Sequence, residues 1–257
     1  MYLSYLLDVL ASTEMELARF NAHRTSSSPD AEISLGSGKH LRWITDSSRV
    51  ESTYYNRALT KRVGELSPEA LDELPISVAA VELRPSETSS RGADVMLAAG
   101  FRPVGTLCYL AMRPPRERLT LTQPVRQLPK TQTDLFFDLL ESAGTPFPRE
   151  RRASKACYYC TDEFQSFVVE ESPGSALGWS TMFRSGNFAY LGNSYTKPEA
   201  RCRGVQSALL AARLNAAAAA GAEPIFTDVE HGSQSHANCE RIGFRAVTVN
   251  TIWERRT

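Results

Sequence analysis

The chain carries no net charge: 29 basic residues balance 29 acidic ones over 257 positions. The composition therefore holds no electrostatic footprint for a nucleic-acid backbone. Lysine is scarce, at five residues, so arginine supplies most of the basic side chains. Cysteine is scarce too: Cys108, Cys157, Cys160, Cys202 and Cys239 form an odd and scattered set. That excludes a disulfide framework and fits reduced thiols in a cytoplasmic protein. Cys157 and Cys160 have CxxC spacing, but Ala156 to Tyr159 reads as a strand, where positions three apart face opposite sides. No second CxxC or histidine cluster completes a zinc site, so no metal is expected. Long apolar runs are missing as well. No uncharged stretch is long enough to span a membrane, and the alanines at 216–220 are helix formers before a Gly221 stop. The N-terminus lacks a basic opening, and Asp8 interrupts its apolar run, so it does not read as a signal peptide. Leu3, Leu6, Leu7, Leu10 and Leu17 instead fall on one helical face.

An apolar fraction of 42% is enough for real cores, and the length fits two domains. Two segments echo each other. Gly100-Phe101-Arg102 follows a helix end and leads into a strand-like run from Val104 to Met112. Gly243-Phe244-Arg245 does the same ahead of Ala246 to Trp253. Gly suits the left-handed position after a helix, and Phe starts the next strand pointing inward. The repeat implies two related domains in tandem. The proline-rich, charged segment Arg113-Pro114-Pro115-Arg116-Glu117-Arg118 reads as the seam, giving domains at 1–115 and 119–257.

In the first half the pattern predicts a helix over Leu3–Phe20, a polar loop over Thr25–Asp30 and a strand over Leu41–Thr45. A helix opened by Ser67-Pro68, a strand over Ile76–Leu83 and a helix over Arg91–Ala99 follow. The second half predicts a helix over Asp134–Ala143, then strands at Gln165–Glu170, Leu177–Phe183 and Phe188–Tyr195. A helix at Ser207–Ala220, a strand at Glu223–Val229 and a helix at Ser235–Arg241 complete it.

The most informative stretch runs from Pro198 to Leu210. A basic turn with one glycine feeds a strong helix. The first turn of a helix has N–H groups without intrahelical partners, and its dipole is positive there. Gly204 allows close backbone approach, and Arg201 and Arg203 add fixed charge. Together these suit a pyrophosphate. A glycine turn before an alanine-rich helix with solvated arginines is the plain alternative. The residues Arg201-Cys202-Arg203-Gly204-Val205-Gln206 resemble the acyl-CoA loop of the GNAT acetyltransferase superfamily, Arg/Gln-x-x-Gly-x-Gly/Ala, with Gln206 departing at the last position. The resemblance covers 119–257 well and 1–113 loosely, where no such loop is found.

That resemblance implies an α/β fold: two tandem GNAT-like domains, each a mixed sheet flanked by helices, the first degenerate. It implies acetyl-CoA as donor and an amine of a small molecule as acceptor, joined by direct attack. Arg201, Cys202, Arg203, Gly204, Val205, Gln206 and Ser207 would hold the pyrophosphate. Two splayed parallel strands, Leu191–Thr196 and Ile225–Val229, would hold the pantetheine arm through main-chain groups of Tyr195 and Thr196. Asn238, in a Gly-Ser-x-Ser-x-x-Asn run, would approach the cofactor, or equally lie on a helix surface.

The family's usual acid, a Tyr four residues before the Gly of Gly-Phe, is replaced by Cys239, for which buried packing is the first reading. Asp228, Glu230 and His231 lie at the right end of the second strand as candidate bases; Asp228 and Glu230 share a face, and Glu230 is slightly favoured. Tyr190 and Tyr195 could substitute for the acid or be core residues. No membrane partner is expected. Two rival readings remain at this point: a GNAT-fold transferase using another donor such as aminoacyl-tRNA, and a CoA-binding module without turnover.

Overall fold

A computed structural model describes residues 2–26, 31–61, 66–85 and 90–255. In chain order the elements are α1 (Tyr2–Thr25), β1 (Ile33–Ser37), β2 (Leu41–Asp46), β3 (Arg57–Thr60), α2 (Pro68–Asp72), β4 (Ala80–Leu83), α3 (Ser90–Ala98) and β5 (Phe101–Met112). Then come β6 (Arg126–Gln127), α4 (Thr133–Ser142), α5 (Arg149–Lys155), β7 (Phe164–Ser172), β8 (Ser175–Ser185) and β9 (Phe188–Thr196). The chain closes with α6 (Val205–Ala219), β10 (Ile225–Glu230), α7 (Gln234–Ile242) and β11 (Arg245–Arg255). The protein is a mixed α/β fold, as expected. It forms two compact units: residues 1–110 with 228–257, and residues 111–227.

In the first unit the strand order is β1-β2-β3-β4-β11-β5. Strands β3 and β4 run parallel, with Arg57 opposite Ala80 and Leu59 opposite Glu82. The last strand, β11, pairs antiparallel with β4 from Thr251↔Leu83 to Glu254↔Ala80. The leucine stripe of α1 is real: Leu6, Leu7, Leu10 and Leu17 are buried, with Ala18 and Ala22 packed on Ile44. Leu3 belongs to the same run but stays exposed near the helix start. Leu41, Val78, Val81, Leu83, Met96, Phe101 and Trp253 make the core on one side of the sheet.

The second unit orders its strands β10-β9-β8-β7-β6. Only β9 and β10 are parallel, over Ala189↔Ile225, Tyr190↔Phe226 and Leu191↔Thr227. Phe136 and Phe137 of α4 pack on Tyr159, Trp179 and Phe147, with ring centroids 4.3–6.0 Å apart. Helix α6 covers the sheet with Val205, Ala208, Leu209, Leu214 and Ala217.

Both Gly-Phe turns form as anticipated. Gly100 and Gly243 have φ of 84° and 117°, and Phe101 and Phe244 are fully buried. The segment around the CxxC differs. Arg149–Lys155 is helix and Ala156–Tyr158 a 3-10 turn, not a strand. Helix α5 is polar throughout, so no apolar period announced it, although its residues are good helix formers. The two sulfurs still part ways, with Cys157 exposed and Cys160 buried. Strands β1 and β3 were missed because they are short, and β3 begins with a buried arginine. Most of the polar loop expected at Thr25–Asp30 lies outside the described residues. No described helix is long and apolar enough to cross a membrane.

Candidate functional site: an uncapped helix and a splayed strand pair

Helix α6 begins at Val205, two residues earlier than its pattern suggested, with Gly204 as its N-cap at φ 79°. As a glycine, this N-cap has no side chain to satisfy the first N–H groups. Its first intrahelical bond is Ala208 N–H to Gly204 O at 2.9 Å. The N–H groups of Val205, Gln206 and Ser207 therefore lack an acceptor within the helix. Such a helix start attracts anions through both free donors and dipole. Cys202 is also left-handed, at φ 61°. Left-handed residues on either side of Arg203 turn the loop sharply, a geometry that gathers main-chain N–H groups.

The loop is braced by a segment the sequence reading passed over. Thr122 Oγ1 donates to Gly204 O at 3.0 Å and Gln123 Nε2 to Arg203 O at 3.0 Å. Asn215 of α6 exchanges hydrogen bonds with both main-chain groups of Leu119, at 2.8 and 2.9 Å. These bonds occupy loop carbonyls and leave its N–H groups free of them. Arg201, Cys202 and Arg203 are exposed, and Arg201 has no side-chain partner among the described residues. Arg203 Nη2 instead pairs with Glu171 Oε1 at 2.9 Å, both side chains being about half exposed. A surface pair of this kind is weak enough for a bound anion to replace.

Strand β9 supplies the other part of the site. Its pairing with β10 stops at Leu191↔Thr227, yet β9 runs on to Thr196 and β10 to Glu230. Thr227 Oγ1 donates to Leu191 O at 2.8 Å just where the pairing stops. On its other side β9 bulges: Ser194 lies opposite Ser180 and Gly192 opposite Thr181, leaving Asn193 without a partner. Asn193 has φ 24°, and Asn193 and Ser194 are exposed. A bulge bends its strand and frees main-chain groups, a device common beside active sites. Tyr195 and Thr196 follow, half-buried, with the Tyr195 ring 6.2 Å from Trp179. Gly178 lets this end of β9 and the start of α6 approach. A Cβ there would lie 2.6 Å from Tyr195 O and 2.9 Å from Val205 Cγ1.

Arg213 also escaped sequence reasoning. It lies on the buried side of α6, and its Nη1 donates to Thr181 O at 3.1 Å and Gly192 O at 2.9 Å. Only its place on an apolar helical face could have marked it.

Apart from Tyr190, the remaining anticipated residues belong to the first unit. Asp228 is half-buried and Glu230 exposed at the end of β10. Tyr109 donates to Glu82 Oε2 at 2.7 Å. Burial first, then the charges of Glu14 and Glu82 and a smaller push from Asp228, hold its phenol well above the usual range. Cys239 is buried. Asn238 Oδ1 accepts from Gln234 at 3.1 Å and Arg241 at 2.8 Å along its own helix. His236 is partly buried on α7. Its Nδ1 accepts from Gly232 N–H at 3.0 Å, which places the neutral ring's proton on Nε2. That Nε2 faces Cys108 Sγ at 3.8 Å and Glu240 Oε1 at 3.7 Å. Unlike α6, α7 is capped, by Ser233 Oγ accepting from His236 N–H. Tyr190, offered as a substitute acid, is 1% exposed, with its ring in the core.

Residues 133–244 match the model of the acetyltransferase (GNAT) family. Among solved structures, the chain is similar to a GCN5-related N-acetyltransferase from Kribbella flavida at 11% identity. That match has a TM-score of 0.67 and covers 96% of this chain and 95% of that one. It is similar to a GCN5-related N-acetyltransferase from Sphaerobacter thermophilus at 14% identity and TM-score 0.60, covering 98% and 93%. A tandem GNAT protein from the clavulanic acid biosynthesis pathway aligns at 11% identity and TM-score 0.58, covering 96% and 94%. At these identities the likeness is one of fold. No curated protein matches the sequence.

Proposed function

We propose that the protein, whose residues 133–244 match the acetyltransferase (GNAT) family model and whose fold is similar to that of a tandem GNAT protein, transfers an acyl group from acyl-CoA, by default acetyl-CoA, to the amine of a small molecule. In this reading segment 119–257 carries the donor and 1–115 is a degenerate copy, although residues 228–257 cluster with 1–110 and not with 111–227. The observation that carries this reading is the joint presence of an uncapped α6 start and a β9 edge released from β10 after three residue pairs.

When bound, the donor supplies an activated thioester. This chain's residues do the rest. The N–H groups of Val205, Gln206 and Ser207, with Arg201, hold the pyrophosphate, and Arg203 joins by exchanging Glu171 for phosphate. Main-chain groups of Tyr195 and Thr196 hold the pantetheine, and the Asn193 N–H serves as donor to the acyl oxygen. Cys202 contributes backbone shape only. The acceptor amine must lose a proton to a base. Of the two carboxylates, Asp228 is the more shielded from water and Glu230 the more exposed, which reverses the order favoured from strand position alone. Among the anticipated acids, burial suits the Cys239 thiol to packing. Asn238 remains a candidate for contact with the donor only if it leaves Gln234 and Arg241.

Calorimetric titration and thermal shift with CoA and acetyl-CoA test the reading. A ligand at a hundred times its dissociation constant adds about 2.7 kcal/mol of stability. Absence of both heat and shift at millimolar ligand would overturn it.

A further inference from the structure

Arg213 occupies a costly position. Helix α6 turns Val205, Ala208, Leu209, Leu210, Ala211, Leu214 and Ala217 inward, and Arg213 is buried with them at 4% exposure. A cation taken out of water needs compensation by several polar groups. Its guanidinium finds part of that at one place in the sheet, where β8 and β9 lose register. Arg213 Nη1 reaches Thr181 O at 3.1 Å and Gly192 O at 2.9 Å, the two residues that face each other at the bulge. Its Nε returns to Leu209 O at 3.2 Å in its own helix.

The carbonyl of Gly192 and the N–H of Asn193 belong to one peptide group. A charged donor on that oxygen draws electron density toward it and leaves the N–H more positive, because successive hydrogen bonds polarise one another in a low dielectric. Asn193 is the bulged residue, without a partner on β8, and the pairing of β9 to β10 has already ended at Leu191. The guanidinium therefore acts on the bulge peptide, in the stretch of β9 that runs on past its last partner on β10.

We propose that Arg213 is a positioning residue of the transfer reaction: its buried charge fixes the bulge and polarises the Gly192–Asn193 peptide, making the Asn193 N–H a stronger donor to the acyl carbonyl oxygen. This rests on the acyl-CoA reading above. It assigns the role to a side chain that touches neither donor nor acceptor. A purely structural arginine would hold the two strands in place and leave the electronics of the bound acyl group unaltered.

The two roles separate in the infrared spectrum of bound acetyl-CoA labelled with ¹³C at the thioester carbonyl, which needs no knowledge of the acceptor. In the wild-type protein the carbonyl stretch is expected to move to lower frequency than in free acetyl-CoA. Arg213→Met keeps most of the volume and removes the charge. It should abolish most of that displacement while acetyl-CoA affinity changes by no more than about threefold. Arg213→Lys keeps the charge with a single-point donor and should restore part of it. Should the methionine variant fail to fold, the lysine and glutamine variants form the series, with the displacement falling in the order Arg, Lys, Gln. A carbonyl stretch that is unaltered across variants still binding acetyl-CoA overturns the proposal and leaves the acyl-CoA reading standing. Failure of the wild-type protein to bind acetyl-CoA overturns that reading and this inference with it.

Discussion

The two halves of the chain hold the same device in two states. In each, a pair of parallel strands meets over three registered residues: Arg57–Leu59 against Ala80–Glu82, and Ala189–Leu191 against Ile225–Thr227. In the first half the strand interior is filled with charge. Arg57 binds Glu82 through Nη1 and Glu14 through Nη2, the latter at 2.8 Å, and Tyr109 completes Glu82. Strand β3 ends one residue after its last partner, and the five-residue helix behind it starts with Pro68, which has no N–H to offer. In the second half the registered positions are small or neutral. Strand β9 continues five residues past its last partner, and the helix behind it starts uncapped. The topology is shared. What differs is whether backbone donors are left for a ligand, and that follows from a few side chains.

The sharpest way to break the comparison is to empty the charged strand pair. Arg57→Met leaves Glu14 and Glu82 buried without their cation, which should cost about 3–5 kcal/mol. Adding Glu14→Gln and Glu82→Gln should recover much of it. Urea melts of the two variants check this, and a single substitution costing under about 1 kcal/mol would mean that the ion pairs do not close this half.

Next comes the open half. Gly178→Val forces a side chain onto Tyr195 O and Val205. Overpacking of this kind costs about 1–3 kcal/mol, and the displaced β9 end should lower CoA affinity at least about tenfold by calorimetry. Unaltered affinity in a folded variant would detach this end of β9 from the donor site.

Acid should distinguish the halves more gently. Burial pushes the Asp46 carboxyl up, but hydrogen bonds from Ser48 and Arg49 and the Arg49 charge outweigh it and hold the group below its usual range. A depressed carboxylate contributes stability that is complete above the unfolded value near 4 and is lost as pH falls through the folded value. Wild-type stability should therefore decline below about pH 4. Asp46→Asn should be less stable at neutral pH and flatter in acid, as followed by thermal melts from pH 3 to 7.

Two smaller effects refine the open half. Glu171→Gln frees Arg203 and should tighten CoA binding about two- to fivefold, with no gain for pantetheine, which lacks phosphate. A gain for both would place the effect outside the phosphate loop. Cys239→Ala should reduce stability by about 1 kcal/mol or less, with CoA affinity unchanged in the same titration.

Much of the fold was legible because its signals are local. The leucines of α1, the two Gly-Phe turns and the Arg201–Ser207 loop each fix a conformation within one or two turns of chain. Short strands β1 and β3 and the polar helix α5 were not legible, because packing and pairing sustain them against weak local preference. At the candidate site, Arg201 to Ser207 could be named from order and charge. Asn238 and Cys239 were placed on α7 by the Gly-Phe turn, and Cys239 is buried, as its packing reading expects, while the bonds of Asn238 along its own helix were not legible.

By itself the sequence determined the repeat, the glycine turns and the basic loop opening a helix, since each rests on backbone freedom or charge carried by adjacent residues. Only the tertiary structure decided where pairing between β9 and β10 stops, that Glu171 engages Arg203, that Thr122 and Gln123 brace the loop, and that Arg213 meets the bulge at Gly192. Those contacts join residues 21 to 82 positions apart. Their existence depends on strand register and helix docking, which a buried core settles for the whole chain at once and no local pattern encodes.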